Sequence, residues 1–503
     1  MRVTRKFAHK LGLILGPSLF FAVLFFPVAQ DLSFEARIVL AATFWMGAWW
    51  ITEAIPIYVT ALLPMVIFPS LGVTDLGETS ASYADRVVFL FLGGFLLAKA
   101  VENSGLHRRF ALNILKTFGT NPKYVVAAFM IVTGFLSGWM SNTATTMLML
   151  PIAAAVIMQF QGAGDREKFG LCLMLSIAYS ASIGGMATLI GTPPNAIFAS
   201  LSGSLVGTDV TFGQWLVIGL PISAISLLVA WLYMVNIGVN IRKLGPIAQE
   251  KGMITKKLSE LGRINRNELL VAAVFVATAA AWITRGLLWK DLVPMVDDST
   301  IAILAAISLF LLPSKTNGKD VPAVDGPAPN ANAGDNDKEP TTGGKRLLDW
   351  KSAVTIPWGV LLLIGGGLAL ANAFTATGLD HWIAGQLTFV GTMHVLVITL
   401  VMVAVAVLAS EIVSNTATAA LLIPISASLA ASLELDPMLV IVPVTIATSF
   451  GFAMPVGTPP NAIVFASGYV TVPKMARAGL PLDIIGIGLV TILTTVLVPL
   501  IWL

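Results

Sequence analysis

The chain has 503 residues, of which 56% are hydrophobic and only 11% charged, with a mean hydropathy of +0.85. A water-soluble protein of that composition would lack a polar coat, so an integral membrane protein is implied. The net charge of +3 gathers in a few loops, which excludes a nucleic-acid partner, and the long unbroken apolar runs exclude a β-barrel.

At roughly 20 apolar residues per crossing, the length leaves room for about ten to twelve helical spans. They are expected near 11–29, 38–50, 54–71, 87–104, 168–200, 213–238, 267–287, 299–313, 353–376, 437–468 and 480–503. The start carries Arg2, Arg5 and Lys6, but the apolar run 11–28 is long enough to be a first span and no cleaved signal peptide is expected. Cys172 is the only cysteine, so no intrachain disulfide is possible.

Two segments behave differently. Residues 124–164 and 383–433 are long and nearly uncharged, too long for one span, and carry Ser-Asn-Thr near the middle (Ser141-Asn142-Thr143 and Ser414-Asn415-Thr416). Two full spans would put those polar motifs outside the membrane, so each segment is expected to be a re-entrant hairpin with the motif at its tip. Spans 168–200 and 437–468 hold Gly191-Thr192-Pro193-Pro194-Asn195 and Gly457-Thr458-Pro459-Pro460-Asn461. Adjacent prolines remove donors and clash with the preceding turn, so both helices are expected to break in mid-bilayer.

These copies reflect a wider repeat. Gly93-Gly94, Gly105, Ser141 and Pro151 recur as Gly366-Gly367, Gly378, Ser414 and Pro424, all offset by 273, while the Gly-Thr-Pro-Pro-Asn copies are offset by 266. Charge separates the halves. Arg108, Arg109, Lys116, Lys123, Arg166 and Lys168 surround the first hairpin, whereas no Lys or Arg lies between Lys351 and Lys474. One hairpin is therefore expected to enter from the cytoplasm and the other from outside, which is the inverted-repeat plan of many secondary transporters. The same rule makes the N-terminus, the stretch 239–266 and the polar segment 314–350 cytoplasmic, the last as a disordered linker, and leaves the C-terminus outside.

Unwound backbone frees carbonyl oxygens, and with Ser and Asn side chains these suit Na⁺; half-helix N-termini suit carboxylates. No basic residue lies in the tips, so a doubly charged anion would rely on helix ends, Asn and Thr donors and nearby cations. That predicts coupling between anion and cation.

The duplicated motifs, Trp50-Ile51-Thr52-Glu53-Ala54-Ile55-Pro56, and the run from Ser449 to Val464 resemble the divalent anion/sodium symporter family over nearly the whole chain. The resemblance implies an all-α polytopic protein of about 11 transmembrane helices and two re-entrant hairpins. It also implies a homodimer in the lipid bilayer of the plasma membrane, a bacterial inner membrane. Residues 1–86 and 267–313 would form a scaffold. Residues 87–238 and 351–503 would be the inverted repeats of an elevator that carries a dicarboxylate, citrate or sulfate with Na⁺. Carried over residue by residue, the first sodium site would use Ser137, Ser141, Asn142 and backbone at Gly191. The second would use Ser410, Val413 (backbone), Asn415 and backbone at Gly457. Substrate carboxylates would meet Asn142, Thr143, Asn415 and Thr416, with Thr192, Pro193, Thr458 and Pro459 lining the pocket. Both Ser-Asn-Thr copies and both glycines are intact, which favours sodium symport over sodium-independent exchange; the expected cargo is a C4-dicarboxylate such as succinate, with sulfate the alternative, and a channel or membrane enzyme has no supporting motif.

Other polar residues have simpler readings. Gly93-Gly94 and Gly365 to Gly367 suit close helix packing, Glu53 a bond to a helix end, and Trp49, Trp50 and Trp382 an interfacial belt. His107, His381 and His394 are scattered without metal-ligand spacing. Glu411, inside the second hairpin, suits either a structural role or tuning of the cation site.

Overall fold

Apolar sequence that cannot bond its backbone to water must bond it internally. The computed structural model of the protein describes residues 2–25, 31–160, 162–245, 253–289, 292–314, 346–386 and 394–502. Among them the chain is helical, and the only extended pairing is an isolated bridge between Pro313 and Arg346. Among the described residues, seven helices are long and apolar enough to cross a membrane: Gly164–Gly185, Phe212–Gly238, Arg266–Thr284, Trp358–Thr377, Val395–Ile412, Asn415–Ser432 and Val472–Trp502. Shorter apolar helices accompany them, including Pro122–Ser137, Asn142–Ile157 and Met438–Ala447.

Several expected elements take another form. The span near 54–71 is two short helices, Ile57–Thr60 and Leu63–Ser70, the second opening with Pro64 near its start and containing Pro69. The stretch 239–266 contains the helix Met253–Glu260. Arg109, on the helix Leu106–Thr117, ties this region down: it pairs with Glu268 at 2.9 Å and donates to the carbonyls of Leu261, Gly262 and Arg263. Trp50 is not interfacial but 1% exposed, with Nε1 donating to Ile57 O. Residues 315–345 of the expected linker lie outside the described residues, as do 387–393 of the second expected hairpin segment.

The expected small-residue packing is present. A Cβ on Gly93 would meet Ala302, and one on Gly366 would meet Ala61, so helix backbones touch there. Gly105 and Gly378, equivalent in the repeat, end Arg86–Ser104 and Trp358–Thr377 at φ 76° and 69°. Only a residue without Cβ takes that left-handed cap cheaply. Glu53 caps Phe34–Thr52 in the same way, its backbone N–H reaching Trp49 O.

The halves interlock reciprocally. Asn142–Ile157 packs on Pro459–Ala466, and its repeat mate Asn415–Ser432 packs on Pro193–Val206. At the centre, Ala163–Gly185 is almost wholly buried from Gly170 onward, with Leu173, Met174, Leu175 and Ile177 sealed. Ile14, Phe25, Ile484 and Leu500, on the first and last helices, are exposed apolar residues that suit a lipid boundary.

Candidate functional site

The Ser-Asn-Thr copies are helix starts. Ser141 is the N-cap of Asn142–Ile157 and accepts from Ala144 N at 3.2 Å; Ser414 caps Asn415–Ser432 and accepts from Ala417 N at 3.3 Å. A serine N-cap satisfies one of the orphan amides of the first turn and leaves a second lone pair on its oxygen. The Gly-Thr-Pro-Pro-Asn copies are helix starts too. Ala163–Gly185 stops, the chain crosses 186–192 without regular helix, and Pro193–Val206 begins; likewise Met438–Ala447, then 448–458, then Pro459–Ala466. Proline at the first helical position loses no bond that the helix would make, so these prolines restart each helix after the break.

Each break closes on the hairpin tip of its own half. In the first, Ser137 Oγ lies 2.6 Å from both Asn142 Oδ1 and Ala181 O. A hydroxyl has one proton, so these three oxygens share one hydrogen. A Cβ on Gly185 would lie 2.5 Å from Asn142 Oδ1 and 3.2 Å from Gly191 O; one on Gly191 would clash with Gly185 O and lie 3.1 Å from Gly138 O. Glycine at 185 thus lets Asn142 Oδ1 and Gly191 O approach the backbone there, and glycine at 191 does the same for the carbonyls of Gly185 and Gly138. The result is an oxygen-rich, hydrogen-poor cradle of the kind that holds a hard cation. Thr188 fixes its edge by donating to Gly138 O.

The second half repeats this with differences. Positions 451 and 457 are equivalent to 185 and 191 at the offset of 266. A Cβ on Gly451 would lie 3.2 Å from Ser410 O, and one on Gly457 3.0 Å from the same oxygen. Ser410 Oγ and Asn415 Oδ1 are buried and have no hydrogen-bond partner among the described residues. Val413 ends Val395–Ile412 in extended backbone, which takes its carbonyl out of the helical ladder.

Of the expected substrate residues, Asn142 and Asn415 open the two return helices, with Thr143 and Thr416 half-buried beside them. Thr192 and Thr458 are buried N-caps; only Thr458 uses its side chain, accepting from Asn461 N at 3.3 Å. Pro193 is half-buried and Pro459 exposed. The structure therefore brings Ser137, Asn142 and Gly191 together, and Ser410 with Gly457. It gives the hydroxyls of Ser141 and Ser414 capping work.

In the sequence Asn195, Asn461 and Asp483 carry no assigned role, and Glu411 has two readings. Asn195 Nδ2 donates to Thr188 O at 2.8 Å, and Asn461 Nδ2 to Gly451 O and Met454 O at 2.9 Å, bridging each break. Their signal was the last letter of the repeated motif. Glu411 is buried, and its oxygens accept from Ala453 N and Met454 N, both at 2.8 Å, while Asp483 accepts from Phe452 N at 3.2 Å. Three consecutive amides of the second break are thus held by two carboxyl groups. The first half has Gly138 and Val217 at the equivalent positions, so this brace belongs to one half only.

Comparisons with known proteins agree with one another. The family profile described as "Sodium:sulfate symporter transmembrane region" matches residues 8–503. The sodium-dependent dicarboxylate transporter SdcS of Staphylococcus saprophyticus is 40% identical over 498 residues, 97% of this chain and 91% of that protein. SdcS of Staphylococcus aureus strain bovine RF122 is 37% identical over 500 residues, 98% of this chain and 91% of that one. Neisseria gonorrhoeae MtrF, whose solved structure is reported as illuminating a class of antimetabolite efflux pumps, shares the fold at a TM-score of 0.50 and 13% identity over 83% of each chain. With paired oxygen-lined breaks and a match along almost its whole length, the chain belongs to the divalent anion/sodium symporter family.

Proposed function

We propose that the chain is a secondary transporter that couples Na⁺ to the movement of a C4-dicarboxylate such as succinate across the plasma membrane. One observation carries the reading: two repeat-related junctions of hairpin tip and broken helix, each lined by carbonyl, hydroxyl and amide oxygens rather than by basic side chains. The SdcS relatives, named as sodium-dependent dicarboxylate transporters, support the choice of cation and anion.

Na⁺ is cargo here. In the first half Ser137, Asn142 and the carbonyls of Gly138, Gly185 and Gly191 would surround it; in the second, Ser410, Asn415 and backbone at Val413 and Gly457. The carboxylates of the substrate meet the N-terminal ends of Asn142–Ile157 and Asn415–Ser432, where free amides and the helix dipole favour negative charge. Asn142, Thr143, Asn415 and Thr416 supply donors, and Thr192, Pro193, Thr458 and Pro459 form the walls. Bound cations offset the anion's charge in a site without Lys or Arg, so neither cargo binds well alone.

An inverted arrangement of the halves is supported by packing. Gly170, near the start of the first broken helix, touches Tyr469, just beyond the end of the second, and Lys474 pairs with Glu167 at 2.5 Å. Start meets end, as antiparallel repeats require. On this plan the two hairpins are re-entrant, about 11 helices cross the bilayer, the N-terminus is cytoplasmic and the C-terminus outside. A homodimeric scaffold then lets the repeats move as an elevator.

Uptake of labelled succinate by proteoliposomes tests the reading. External Na⁺ is expected to drive uptake and choline to abolish it. Uptake that ignores Na⁺ but requires diacid inside identifies an exchanger, and Na⁺-driven uptake of sulfate alone identifies a sulfate symporter.

A further inference from the structure

The amides of Asn195 and Asn461 are fully buried at positions related by the offset of 266. Each directs its Nδ2 at carbonyls of its own break: Asn195 at Thr188 O (2.8 Å), with Gly185 O and Met186 O at 3.4 Å, and Asn461 at Gly451 O and Met454 O. These partners fix which end of each amide is oxygen, because the flipped amide would press oxygen against oxygen. In both residues Oδ1 then has no donor among the described residues.

A buried acceptor without a donor is costly, and ordinary core amides avoid it. Here it occurs at both members of a repeat pair. In the second half Ser410 Oγ and Asn415 Oδ1 share the condition, and those are the side chains assigned to the second sodium. Both Asn195 and Asn461 also reach the carbonyl of the glycine that lines the cradle, Gly185 or Gly451. Orphan amide oxygens on side chains whose nitrogens already bond the carbonyls of the break suit a hard cation, which needs acceptors and no donors.

Resting on the sodium assignment above, we infer that Asn195 Oδ1 and Asn461 Oδ1 are further oxygen ligands of the co-transported sodium ions, one in each half. The same side chain thus braces the break through nitrogen and contacts the ion through oxygen. Sodium binding and closure of the break are thereby coupled in one residue.

The test titrates thermal unfolding of the full-length detergent-purified chain with NaCl and with LiCl, choline chloride holding ionic strength constant. In Asn195→Ala and Asn461→Ala the half-saturating Na⁺ concentration is expected to rise by about tenfold or more. The Li⁺ response should shift less, because the smaller ion needs fewer oxygens. Should an alanine variant not fold, Asn195→Ser and Asn461→Ser, which keep a hydroxyl to donate to the break, are read the same way. A lower melting temperature with Na⁺ and Li⁺ responses shifted equally shows bracing alone and overturns the inference. So does an unchanged sodium response, the result expected if Oδ1 holds only water. Asn142→Ala separates the two levels. If it loses the sodium response while the Asn195 and Asn461 variants keep it, the inference fails and the sodium assignment stands; if it keeps the response, the assignment itself fails.

Discussion

Tyr179 donates its hydroxyl to Phe452 O at 3.0 Å, so the long arm of the first broken helix holds the backbone of the second break. The two rings also meet, their centroids 4.7 Å apart. Phe452 is gripped from both sides, since Asp483 accepts its N–H. Tyr179→Phe keeps the ring and leaves a buried carbonyl unpaired, which costs about 1–3 kcal/mol. The melting temperature should fall by several degrees and succinate turnover should drop; an unaltered melting curve contradicts a bridge between halves.

Removing the tip amides should stop transport. Asn142→Ala and Asn415→Ala are expected to abolish sodium-driven succinate uptake while both proteins elute normally in gel filtration. Full activity in either variant contradicts the site.

Glycine positions give a graded test. Gly185→Ala and Gly191→Ala push a Cβ into Asn142 Oδ1 and Gly185 O, both rigidly held, so uptake should fall to background. Gly367→Ala meets only Ala420 Cβ at 3.6 Å, ordinary contact, and should transport normally. Equal behaviour of all three removes the argument for close backbone approach.

Glu411 braces the second break through Ala453 N and Met454 N. Glu411→Ala strands two buried donors, and at about 1–3 kcal/mol each the protein should lose more stability than in Tyr179→Phe. Side-by-side melting curves decide, and a smaller loss in Glu411→Ala contradicts the brace.

His107, on the short basic helix Leu106–Thr117, is held below the usual imidazole range by burial, against the pull of its contact with Val101 O. Its folded value lies below the unfolded one, about 6.5. The unfolded chain therefore takes up the proton first as pH falls, and stability present above that value declines below it. Melting temperatures should fall more steeply on acidification in the wild type than in His107→Gln. Parallel curves contradict an imidazole held neutral by partial burial.

The large-scale plan was legible because it depends on local chemistry. Repeated Ser-Asn-Thr and Gly-Thr-Pro-Pro-Asn motifs mark helix starts through capping and proline, and the helices opening at Asn142, Pro193, Asn415 and Pro459 begin where those signals put them. Prolines 64 and 69 were visible too, yet the run 54–71 read as one span because hydropathy averages over them. Contacts made across the fold were less legible. Trp50 looks interfacial until Ile57 O accepts its indole N–H, and Glu411 sits in apolar sequence with nothing nearby to name the amides of Ala453 and Met454 as its partners. Gly185 and Gly451 were within reach, since the offset of 266 that pairs the Pro-Pro motifs extends to them.

Coupling of cation to anion is the central claim, and succinate-driven entry of labelled sodium tests it most directly. Proteoliposomes holding the protein should accumulate ²²Na⁺ when succinate is added outside, and the accumulation should vanish in Asn415→Ala. Sodium entry that is the same with and without succinate would contradict the account.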